Sequence, residues 1–346
     1  MCIRDRSKCP GMIVKSFPLL RPNVFADDFR ELNHHDDEVL VRPRLLSICA
    51  ADLRYYLGLR PASVLAKKLP MILIHEAIGT IVKAPVDSGI KVGDSAILLP
   101  CGCGAKQGTN YQDKAFFRSS NADGFCQELI SLQPEEIVLL SNQFDSEPFV
   151  FSELLSVCFQ ALRQIKDEVS TAKCVGVWGD GSLGYLMSLL IKSLYPEKHV
   201  SVIGKHEDRL EKFAFANEVE TIFSRSNRKY DVLVECVGGN GAQIAINDMI
   251  DHSIPNATLL LTGVSEVSPA INTRKILEKG LTLRGTTRSI REDFILANNF
   301  LKSDKNRCLV KVLDTKRCDV HTSIDLRNAF EEAKVSKFKT TINFLP

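Results

Sequence analysis

The sequence lacks the features of a secreted, membrane or nucleic-acid-binding protein. No apolar run is long enough to span a bilayer, and the opening MCIRDRSKCPG carries charge without the hydrophobic core of a secretory signal. The formal net charge is only +2, so neither sign is in sufficient excess to attract nucleic acid or an anionic membrane. We therefore expect a cytosolic protein with no membrane or nucleic-acid partner.

The cysteines do not follow the pattern of a disulfide framework. There are eleven of them, an odd number, in a long chain of 346 residues. Cys158, Cys174 and Cys236 lie in apolar runs, where a reduced thiol packs as a small hydrophobic group. We therefore expect reduced thiols rather than disulfide bonds.

A structural zinc site is also missing from the cysteine pattern. Cys101 and Cys103 in PCGCG, with Cys126 further on, are the nearest approach to one. A closed site needs four ligands, usually with two to four residues inside each cysteine pair. Here a single residue separates the pair and no fourth ligand is evident, so we interpret these residues as loop thiols.

The first half of the chain has the sequence pattern of a β-rich domain. From Met12 to about Val150, short runs rich in Val, Ile and Leu, such as EVLVRPRLLSI and DSAILLP, alternate with turn signals such as APVDSG. This pattern predicts a mostly β, barrel-like domain over 12–150. The tail, with DLRNAFEEAKVSKFKTTINFLP, predicts an amphipathic helix and a final strand that return to this domain at about 302–346.

A glycine-rich motif marks the second half. The apolar strand CVGVW runs into GDGSLG, and an apolar helix follows; this context makes the GxGxxG motif much more specific than it is alone. Gly179 permits the tight turn, Gly181 lets the backbone approach a pyrophosphate, and Gly184 lets the helix pack on the strand. The pyrophosphate would rest on the helix N-terminus, at Ser182 and Leu183.

Strands and helices alternate after this motif. Apolar runs such as HVSVIG, YDVLVECVG and ATLLLTGV are separated by helical patterns such as EDRLEKFAFA and AQIAINDMI. Such alternation predicts a parallel sheet covered on both faces. We therefore expect an α/β protein in which a doubly wound Rossmann domain over 151–301 accompanies the barrel-like domain.

The end of the second Rossmann strand predicts the choice of dinucleotide. An acidic residue about 20 positions after the glycines usually holds the ribose 2′-hydroxyl of NAD. Lys205 stands where that acid would be and could neutralise a 2′-phosphate, whereas Glu207 and Asp208 are better placed to begin the next helix. The sequence therefore favours NADP(H), with Arg209 as the next candidate for the discriminating charge.

A mixed set of metal-binding residue types lies in the first domain. Cys49, His75 and Glu76 offer a thiol, an imidazole and a carboxylate, a set that suits Zn²⁺. Asp52 could orient the histidine through its other ring nitrogen. The alternative is a buried cysteine and an unrelated surface His-Glu pair, and the spacing alone leaves it open.

This combination of ligand set, β-rich first domain and Rossmann second domain resembles the zinc-dependent medium-chain alcohol and polyol dehydrogenases. The resemblance implies a GroES-like catalytic domain. It also implies one catalytic zinc surrounded by Cys49, Asp52, His75, Glu76 and a glutamate that opens the helix before the Rossmann domain, here Glu153 in SELLSV. The lobe with four zinc-binding cysteines, which many members carry, is missing.

Two positions depart from the pattern of that superfamily. Ala51 stands where many alcohol dehydrogenases have a Ser or Thr that passes a proton to solvent, so the proton would take another route, through metal-bound water and Glu153. Ile74 replaces the glycine that usually precedes the His-Glu pair, although LIHE is normal for a closer subfamily.

That closer subfamily is the ribitol-5-phosphate dehydrogenases, also called ribulose-5-phosphate reductases, of bacterial teichoic-acid or capsule synthesis. The resemblance is carried by segments such as SICAADLRYYLG, KLPMILIHEAIG, FFRSSNADGF and NTRKILEKGLTLRGTTRS. It implies NADPH-dependent reduction of D-ribulose 5-phosphate to D-ribitol 5-phosphate, a cytidylyltransferase that uses the product to form CDP-ribitol, and a homodimer. The alternatives are an NADP-linked dehydrogenase for an unphosphorylated polyol and a non-catalytic NADPH-binding protein.

Two residues are expected to face the substrate near the reacting carbon. Tyr55 follows Asp52 by three residues, and its alternative is an aromatic residue of the barrel core. Arg288, in TTRS, falls where polyol dehydrogenases place an arginine near nicotinamide and substrate. The alternative for Arg288 is a solvated loop charge.

The phosphate of the substrate needs cationic partners of its own. Arg118, in FFRSS, is the preferred candidate because Ser119 and Ser120 beside it can add hydroxyl donors, and Arg54 is the second. For both arginines the alternative is an ordinary surface charge.

Overall fold

The computed structural model describes residues 11–102, 111, 116–140 and 147–346. The chain divides into two compact units. One contains the described residues up to Glu153 together with Ile290–Pro346, and the other is Leu154–Ser289. The C-terminal segment therefore belongs to the same unit as the N-terminal segment.

The first unit is built on strands. In its described residues these are β1 (Met12–Ser16), β2 (Pro18–Arg21), β3 (Val24–Phe25), β4 (Asp28–Leu32), β5 (Val39–Ser47), β6 (Met71–Ile72), β7 (Glu76–Lys83), β8 (Ser95–Leu98), β9 (Ile130–Leu132), β10 (Ile137–Leu139), β17 (Asp314–Val320) and β18 (Lys339–Phe344). The main sheet has the order β10-β8-β7-β5-β18-β17, and β9 also pairs with β5. Two smaller sheets, β1-β4 and β3-β2-β6, accompany it.

The register of β5 sets the position of the predicted metal ligands. On one side β7 runs antiparallel with Glu76 opposite Ser47, and on the other β18 runs antiparallel with Thr341 opposite Ser47. Cys49 comes just after the end of β5, and His75 comes just before the start of β7. Three segments that are distant in sequence therefore meet at one end of this sheet.

The helices of the first unit cover its sheets and connect their strands. In the described residues they are α1 (Ala50–Tyr56), α2 (Ala62–Lys68), α9 (Arg291–Leu301), α10 (Asp304–Lys311) and α11 (Ser323–Val335). Phe330 of α11 packs in a tilted arrangement against Tyr56 of α1 and Phe25 of β3, with ring centroids 5.0 Å apart in each pair. These aromatic contacts join the C-terminal segment to the N-terminal half of the unit.

One boundary differs from the sequence prediction. Helix α9, which we expected within the Rossmann domain ending at 301, belongs to the first unit. Asn298 donates a hydrogen bond to the carbonyl of Leu139 at 3.4 Å, and Arg291 Nε donates to the carbonyl of Glu135 at 3.1 Å. The sequence could not reveal this, because an amphipathic helix has the same pattern whichever sheet it covers.

The second unit is a parallel sheet with helices between its strands. Its strands are β11 (Cys174–Trp178), β12 (His199–Gly204), β13 (Glu218–Thr221), β14 (Tyr230–Glu235), β15 (Ser253–Leu261) and β16 (Thr282–Gly285), and all neighbours pair in parallel. Its helices are α3 (Ser152–Gln164), α4 (Lys166–Thr171), α5 (Ser182–Leu194), α6 (Glu207–Leu210), α7 (Ala242–His252) and α8 (Thr273–Lys279). The order β13-β12-β11-β14-β15-β16 reverses beside β11, which is the doubly wound arrangement.

Within the described ranges, no helix is both long and apolar enough to cross a bilayer.

The described cysteines are free thiols, as predicted. Burial raises the pKa of Cys101 to about 12 and that of Cys126 well above its ordinary value. Cys126 is buried in the hydrophobic core of the first unit, and the interpretation of Cys101 and Cys126 as loop thiols stays a prediction. Cys103 lies outside the described residues.

Candidate active site

The predicted ligand set forms a compact cluster in the first unit. One ligand atom from each of Cys49, His75 and Glu76 lies within 4.8 Å of the other two. His75 and Glu76 are buried and Cys49 is partly exposed. These distances are short enough for one metal ion to contact all three side chains.

Asp52 connects the cluster to its surroundings. This fully buried carboxylate accepts hydrogen bonds from the backbone amide of Cys49 at 3.0 Å, the backbone amide of Ile74 at 3.1 Å and the hydroxyl of Ser119 at 2.5 Å. Its Oδ1 atom lies 3.3 Å from Nδ1 of His75, an ion-pair distance. This contact leaves Nε2 of His75 for a metal, which is the arrangement expected if Asp52 orients the histidine ring.

The His75 ring is held in an anionic environment. Burial opposes a positive charge on the ring, but Asp52 and Cys49 outweigh burial and raise the pKa of His75. A metal ion bound at the second ring nitrogen would take the place of the extra proton, since a ligating imidazole must be neutral at that nitrogen.

Ile74, immediately before the His-Glu pair, has a strained backbone. Its φ angle is +73°, in the left-handed region that a β-branched residue rarely enters, and its side chain is fully buried. This conformation costs on the order of 1–2 kcal/mol. It directs the Ile74 amide to Asp52, and it explains why glycine is usual at this position in the wider superfamily.

Lys339 is a member of the cluster that sequence reasoning missed. It begins β18, its exposure is 5%, and its Nζ lies 2.5 Å from Oε1 of Glu76. Burial opposes its charge, but attraction to Glu76 outweighs burial and raises the pKa of Lys339. The other oxygen of Glu76, Oε2, is buried and has no hydrogen-bond partner in the described part of the chain. A metal ion could therefore bind to Oε2 of Glu76.

Glu153, the predicted fourth ligand or water holder, lies at the edge of the cluster. It belongs to the first turn of α3, and its Oε2 atom is 4.0 Å from Nε2 of His75. Burial, assisted by the Glu76 carboxylate and opposed by His75 and Lys339, raises the pKa of Glu153 to about 7. The carboxyl group can therefore hold a proton at neutral pH, and a nearby cation would lower its pKa.

The buried charges of the cluster fit a divalent cation. Asp52, Glu76 and Glu153 are buried carboxyl groups, while Lys339 supplies a buried ammonium. Carboxylates without compensating charge are costly to bury, and here Lys339 and the raised pKa values of His75 and Glu153 offset them. A bound cation would offset the same carboxylates in place of those protons. A thiol, an imidazole and a carboxylate together are ligands that Zn²⁺ accepts, and the residues present therefore fit zinc.

The predicted phosphate ligand Arg118 has internal partners. Its guanidinium lies 3.3 Å from Oε1 of the buried Glu136 and donates to the carbonyl of Asp123 at 3.4 Å. Ser119 is buried and uses its hydroxyl on Asp52. These contacts give Arg118 and Ser119 internal partners, which neither the phosphate prediction nor the alternative of an ordinary surface charge for Arg118 had included. The phosphate roles of both residues stay predictions without geometric support.

The other predicted substrate residues lie on or beside α1. Tyr55 is 1% exposed and belongs to the hydrophobic core, yet Arg60 and Lys68 place their cationic groups 4.9 and 6.0 Å from the centre of its ring. Arg54 lies half-buried in the last turn of α1. Ser120 accepts a hydrogen bond from Lys68 at 3.3 Å. The structure thus groups Tyr55 and Ser120 with two cations that the sequence had not indicated.

In the second unit, the glycine motif has the predicted geometry. Gly179 has a φ of +134°, and a Cβ at Gly184 would lie 1.9 Å from the carbonyl oxygen of Gly179. A Cβ at Gly181, by contrast, would meet nothing within 4 Å. Ser182 and Leu183 then begin α5. The open space at Gly181 and the free amides at the start of a long helix fit a pyrophosphate.

Asp180 organises the residues predicted to recognise the 2′-phosphate. Its Oδ2 atom accepts hydrogen bonds from the backbone amides of Lys205 at 2.7 Å and His206 at 2.6 Å, and Nδ1 of His206 lies 3.0 Å away. Arg209 is 3.8 Å from Oδ1. The side chain of Lys205 is exposed, so it can turn toward a ligand.

Glu235 and Arg288 follow other strands at the same edge of the sheet. Glu235 is 1% exposed and accepts backbone hydrogen bonds from Val237, Gly238 and Gly263 at 2.6–2.8 Å. It therefore fixes the loops after β14 and β15, where a dinucleotide lies in doubly wound folds. Arg288 lies in the loop after β16 with a φ of +56°, and its role near the nicotinamide stays a prediction.

Comparison with known proteins places the chain among dehydrogenases. Residues 35–142 match the alcohol dehydrogenase GroES-like domain. Ribulose-5-phosphate reductase 1 of Staphylococcus aureus (strain NCTC 8325) is 37% identical, with 96% of this chain and 100% of the relative covered. The reductase of Bacillus spizizenii is 37% identical over 96% of this chain and 98% of its own length. The chain belongs to the ribulose-5-phosphate reductase family. The crystal structure of S. aureus TarJ in complex with NADPH has a TM-score of 0.85 at 33% identity, covering 97% of this chain and 100% of that one.

Family membership confirms the predicted fold class, a GroES-like domain combined with a doubly wound parallel sheet. Two residues that the structure adds, Lys339 and Glu235, were not predicted from the sequence. Lys339 lies in the segment KFKTTINF, 263 residues from its partner Glu76. Its local sequence is typical of an exposed lysine at the start of a strand. Glu235 has a weak signal, a carboxylate at the end of an apolar strand in YDVLVECVGG.

Proposed function

We propose that the chain reduces the C2 carbonyl of D-ribulose 5-phosphate to give D-ribitol 5-phosphate, with NADPH and one zinc ion as cofactors. The observation that carries this proposal is the match to the S. aureus reductase over 96% of this chain and all of the relative. The compact cluster of Cys49, His75 and Glu76 supports it, because these three side chains can hold the zinc ion that the reaction uses.

Cys49, His75 and Glu76 would hold the zinc, with Glu153 as fourth ligand or as the group that holds a water molecule. Zinc, when bound, polarises the carbonyl oxygen as a Lewis acid. Asp52 fixes the orientation of the His75 ring by its contact with Nδ1. The ammonium of Lys339 contacts Oε1 of Glu76, which leaves Oε2 available to bind the zinc ion.

Gly181, Ser182 and Leu183 would receive the pyrophosphate of the dinucleotide at the start of α5. NADPH, when bound, supplies the hydride. Lys205, with Arg209 as second candidate, would face the 2′-phosphate. Both residues follow β12, where Asp180 binds the backbone amide of Lys205 and lies 3.8 Å from the guanidinium of Arg209. Arg288 would lie near the nicotinamide and the substrate.

Glu153 is the residue that we assign to proton transfer. Reduction of a ketone adds a proton to the carbonyl oxygen, and Ala51 offers no hydroxyl at the usual relay position. Burial raises the pKa of Glu153 to about 7 in the metal-free chain, and a bound cation would lower it. The Glu153 carboxyl group could therefore accept and release a proton during the reaction.

The product would be used by a second enzyme. Ribitol 5-phosphate is a phosphate monoester that a cytidylyltransferase can couple to CTP, giving CDP-ribitol for teichoic acid or capsule. We also propose that the chain works in the cytosol, where NADPH and sugar phosphates are available.

A homodimer is the assembly that we propose. The parallel sheet ends at β13 and β16, each of which pairs on one side within the described chain. An open edge can be completed by the same edge of a second copy. Light scattering at several protein concentrations would test the dimer, and a constant monomer mass would contradict it.

Substrate tests decide between this function and its alternatives. Zinc-loaded protein should oxidise NADPH on addition of D-ribulose 5-phosphate, and it should use free ribulose, fructose and xylulose much less efficiently. His75→Ala, which removes a ligand, is the control for background oxidation. Equal efficiency with free ketoses would favour the polyol dehydrogenase. NADPH binding without turnover of any ketose would favour the non-catalytic protein.

A further inference from the structure

A sequence segment with four cationic residues and no acidic residue follows the metal cysteine. Between Leu53 and His75 the chain contains Arg54, Arg60, Lys67 and Lys68 and no aspartate or glutamate. These residues lie in α1, in α2 and in the turn between them. A segment of one sign beside a catalytic site attracts ligands of the opposite sign.

The structure gathers part of this charge around one aromatic ring. The guanidinium carbon of Arg60 lies 4.9 Å from the centre of the Tyr55 ring, and Nζ of Lys68 lies 6.0 Å from the same centre. Lys68 also donates to the hydroxyl of Ser120 at 3.3 Å, a neutral partner rather than a carboxylate. Two cations and a hydroxyl are therefore brought together around Tyr55, which we call the Tyr55 cluster.

The Tyr55 cluster is tied to the metal ligands by two routes. Tyr55 follows Asp52 by three residues on α1, so both side chains lie on one face of the helix. Ser120 follows Ser119, whose hydroxyl is bonded to Asp52. Asp52 itself contacts His75, so both routes link the cluster to a predicted metal ligand through Asp52.

We propose that Arg60, Lys68 and Ser120 bind the phosphate of the sugar-phosphate substrate. Among the described residues the hydrogen-bond partner of Lys68 is a hydroxyl and not a carboxylate, so a phosphate could supply the opposite charge there. Arginine offers a planar fork for phosphate oxygens, lysine a compact charge and serine a further donor. The inference rests on the proposed function, because it assumes a phosphorylated ketose.

Arg118, the candidate from sequence, is less suitable for this role. Its guanidinium is already opposite the carboxylate of Glu136, at 3.3 Å, and only 13% of its side chain is exposed. A phosphate would have to displace a buried carboxylate to reach it. Lys68 requires no such exchange, since its hydroxyl partner can also donate to phosphate.

Neutralising each cation while preserving its bulk tests the proposal. Lys68→Met and Arg60→Met should each lower kcat/KM for D-ribulose 5-phosphate by about 10- to 100-fold, chiefly through KM, as expected for loss of a charged hydrogen bond. Lys67→Met is the matched control, because Lys67 is the neighbouring residue in the last turn of α2, is exposed, and loses the same charge. It should change kcat/KM less than threefold.

Two further measurements separate binding from folding. The ratio of kcat/KM for ribulose 5-phosphate to that for free ribulose should fall at least tenfold in the Lys68 and Arg60 variants. The inhibition constant of inorganic phosphate, competing with the sugar phosphate, should rise in the same variants. Helix α2 has no buried residue, so Lys68→Met should fold normally.

Three outcomes would overturn the inference. Equal losses on phosphorylated and free sugar would assign the residues to the fold or the metal site. An effect of Lys67→Met as large as that of Lys68→Met would indicate long-range attraction without a binding site. No loss in either variant would place the phosphate elsewhere. If the wild-type enzyme uses free ribulose as well as ribulose 5-phosphate, the proposed function fails instead.

Discussion

At the metal cluster the functional groups are buried side chains, whereas at the edge of the parallel sheet they are backbone amides and exposed cations. Asp52 and Glu76 have no exposed surface, and His75, Glu153 and Lys339 are at most 5% exposed. In the second unit the pyrophosphate would meet a glycine and the first amides of α5, and the 2′-phosphate would meet Lys205, which is exposed.

This contrast predicts two kinds of response to mutation. Buried charges depend on one another, so the removal of one leaves a partner without compensation. Exposed cations act through a screened attraction, and each contributes a small, separable amount. Mutations in the cluster should therefore have large and coupled effects, while those at the sheet edge should be graded.

Loss of a metal ligand should have the largest effect. Cys49→Ser or His75→Ala should reduce bound zinc from about one per chain to near zero and lower kcat/KM by at least about a thousandfold, as for loss of a central catalytic group. Metal analysis and steady-state kinetics check this. NADPH binding, measured by fluorescence titration, should stay close to that of the wild type. Full activity after thorough removal of zinc would contradict the mechanism.

Removal of the buried lysine should destabilise the first unit. Lys339→Met leaves the Glu76 carboxylate buried without its partner, and we expect the metal-free protein to lose about 3–5 kcal/mol of unfolding free energy. Urea denaturation measures this. Lys334→Met is the matched control, because Lys334 pairs with Glu331 on the exposed surface of α11, and its loss should cost less than about 1 kcal/mol. Similar losses in both variants would contradict the role of Lys339.

Two glycines of the GDGSLG motif should respond differently to substitution by alanine. Gly184→Ala places a Cβ 1.9 Å from the Gly179 carbonyl, and we expect a loss of about 1–3 kcal/mol of stability from overpacking. Gly181→Ala meets no protein atom within 4 Å, so the unit should fold normally but bind NADPH more weakly. Thermal melting and NADPH titration distinguish the two effects. A Gly181→Ala protein with unchanged NADPH affinity would remove Gly181 from the pyrophosphate site.

Reversal of the exposed charge should have the smallest effect. Lys205→Asp replaces attraction to a 2′-phosphate with repulsion, and we expect the preference for NADPH over NADH to fall by about five- to tenfold, the scale of an exposed charge pair. The ratio of kcat/KM for the two cofactors measures it. An unchanged ratio would move the discriminating charge to Arg209, where the same reversal should then be made.

Local patterns were sufficient to predict the elements that depend on neighbouring residues. The GDGSLG turn, the strand before it and the helix after it were predictable because a pyrophosphate site is built within one short segment. The His-Glu pair and the cysteine were predictable as ligand types by their chemistry. The helix α9 was assigned to the wrong unit, because its sequence shows which face is apolar but not which sheet covers that face.

The sequence by itself determined the β-rich and Rossmann-type domains, the residues able to bind a metal and the cation that replaces the usual acid at the end of β12. Only the tertiary structure decided which charges meet. It placed Lys339 on Glu76, Arg118 on Glu136 and Lys68 beside Tyr55. The reason is that strand register and helix packing bring together residues far apart in sequence, and the energy of a charge depends on the partners it then finds in the interior.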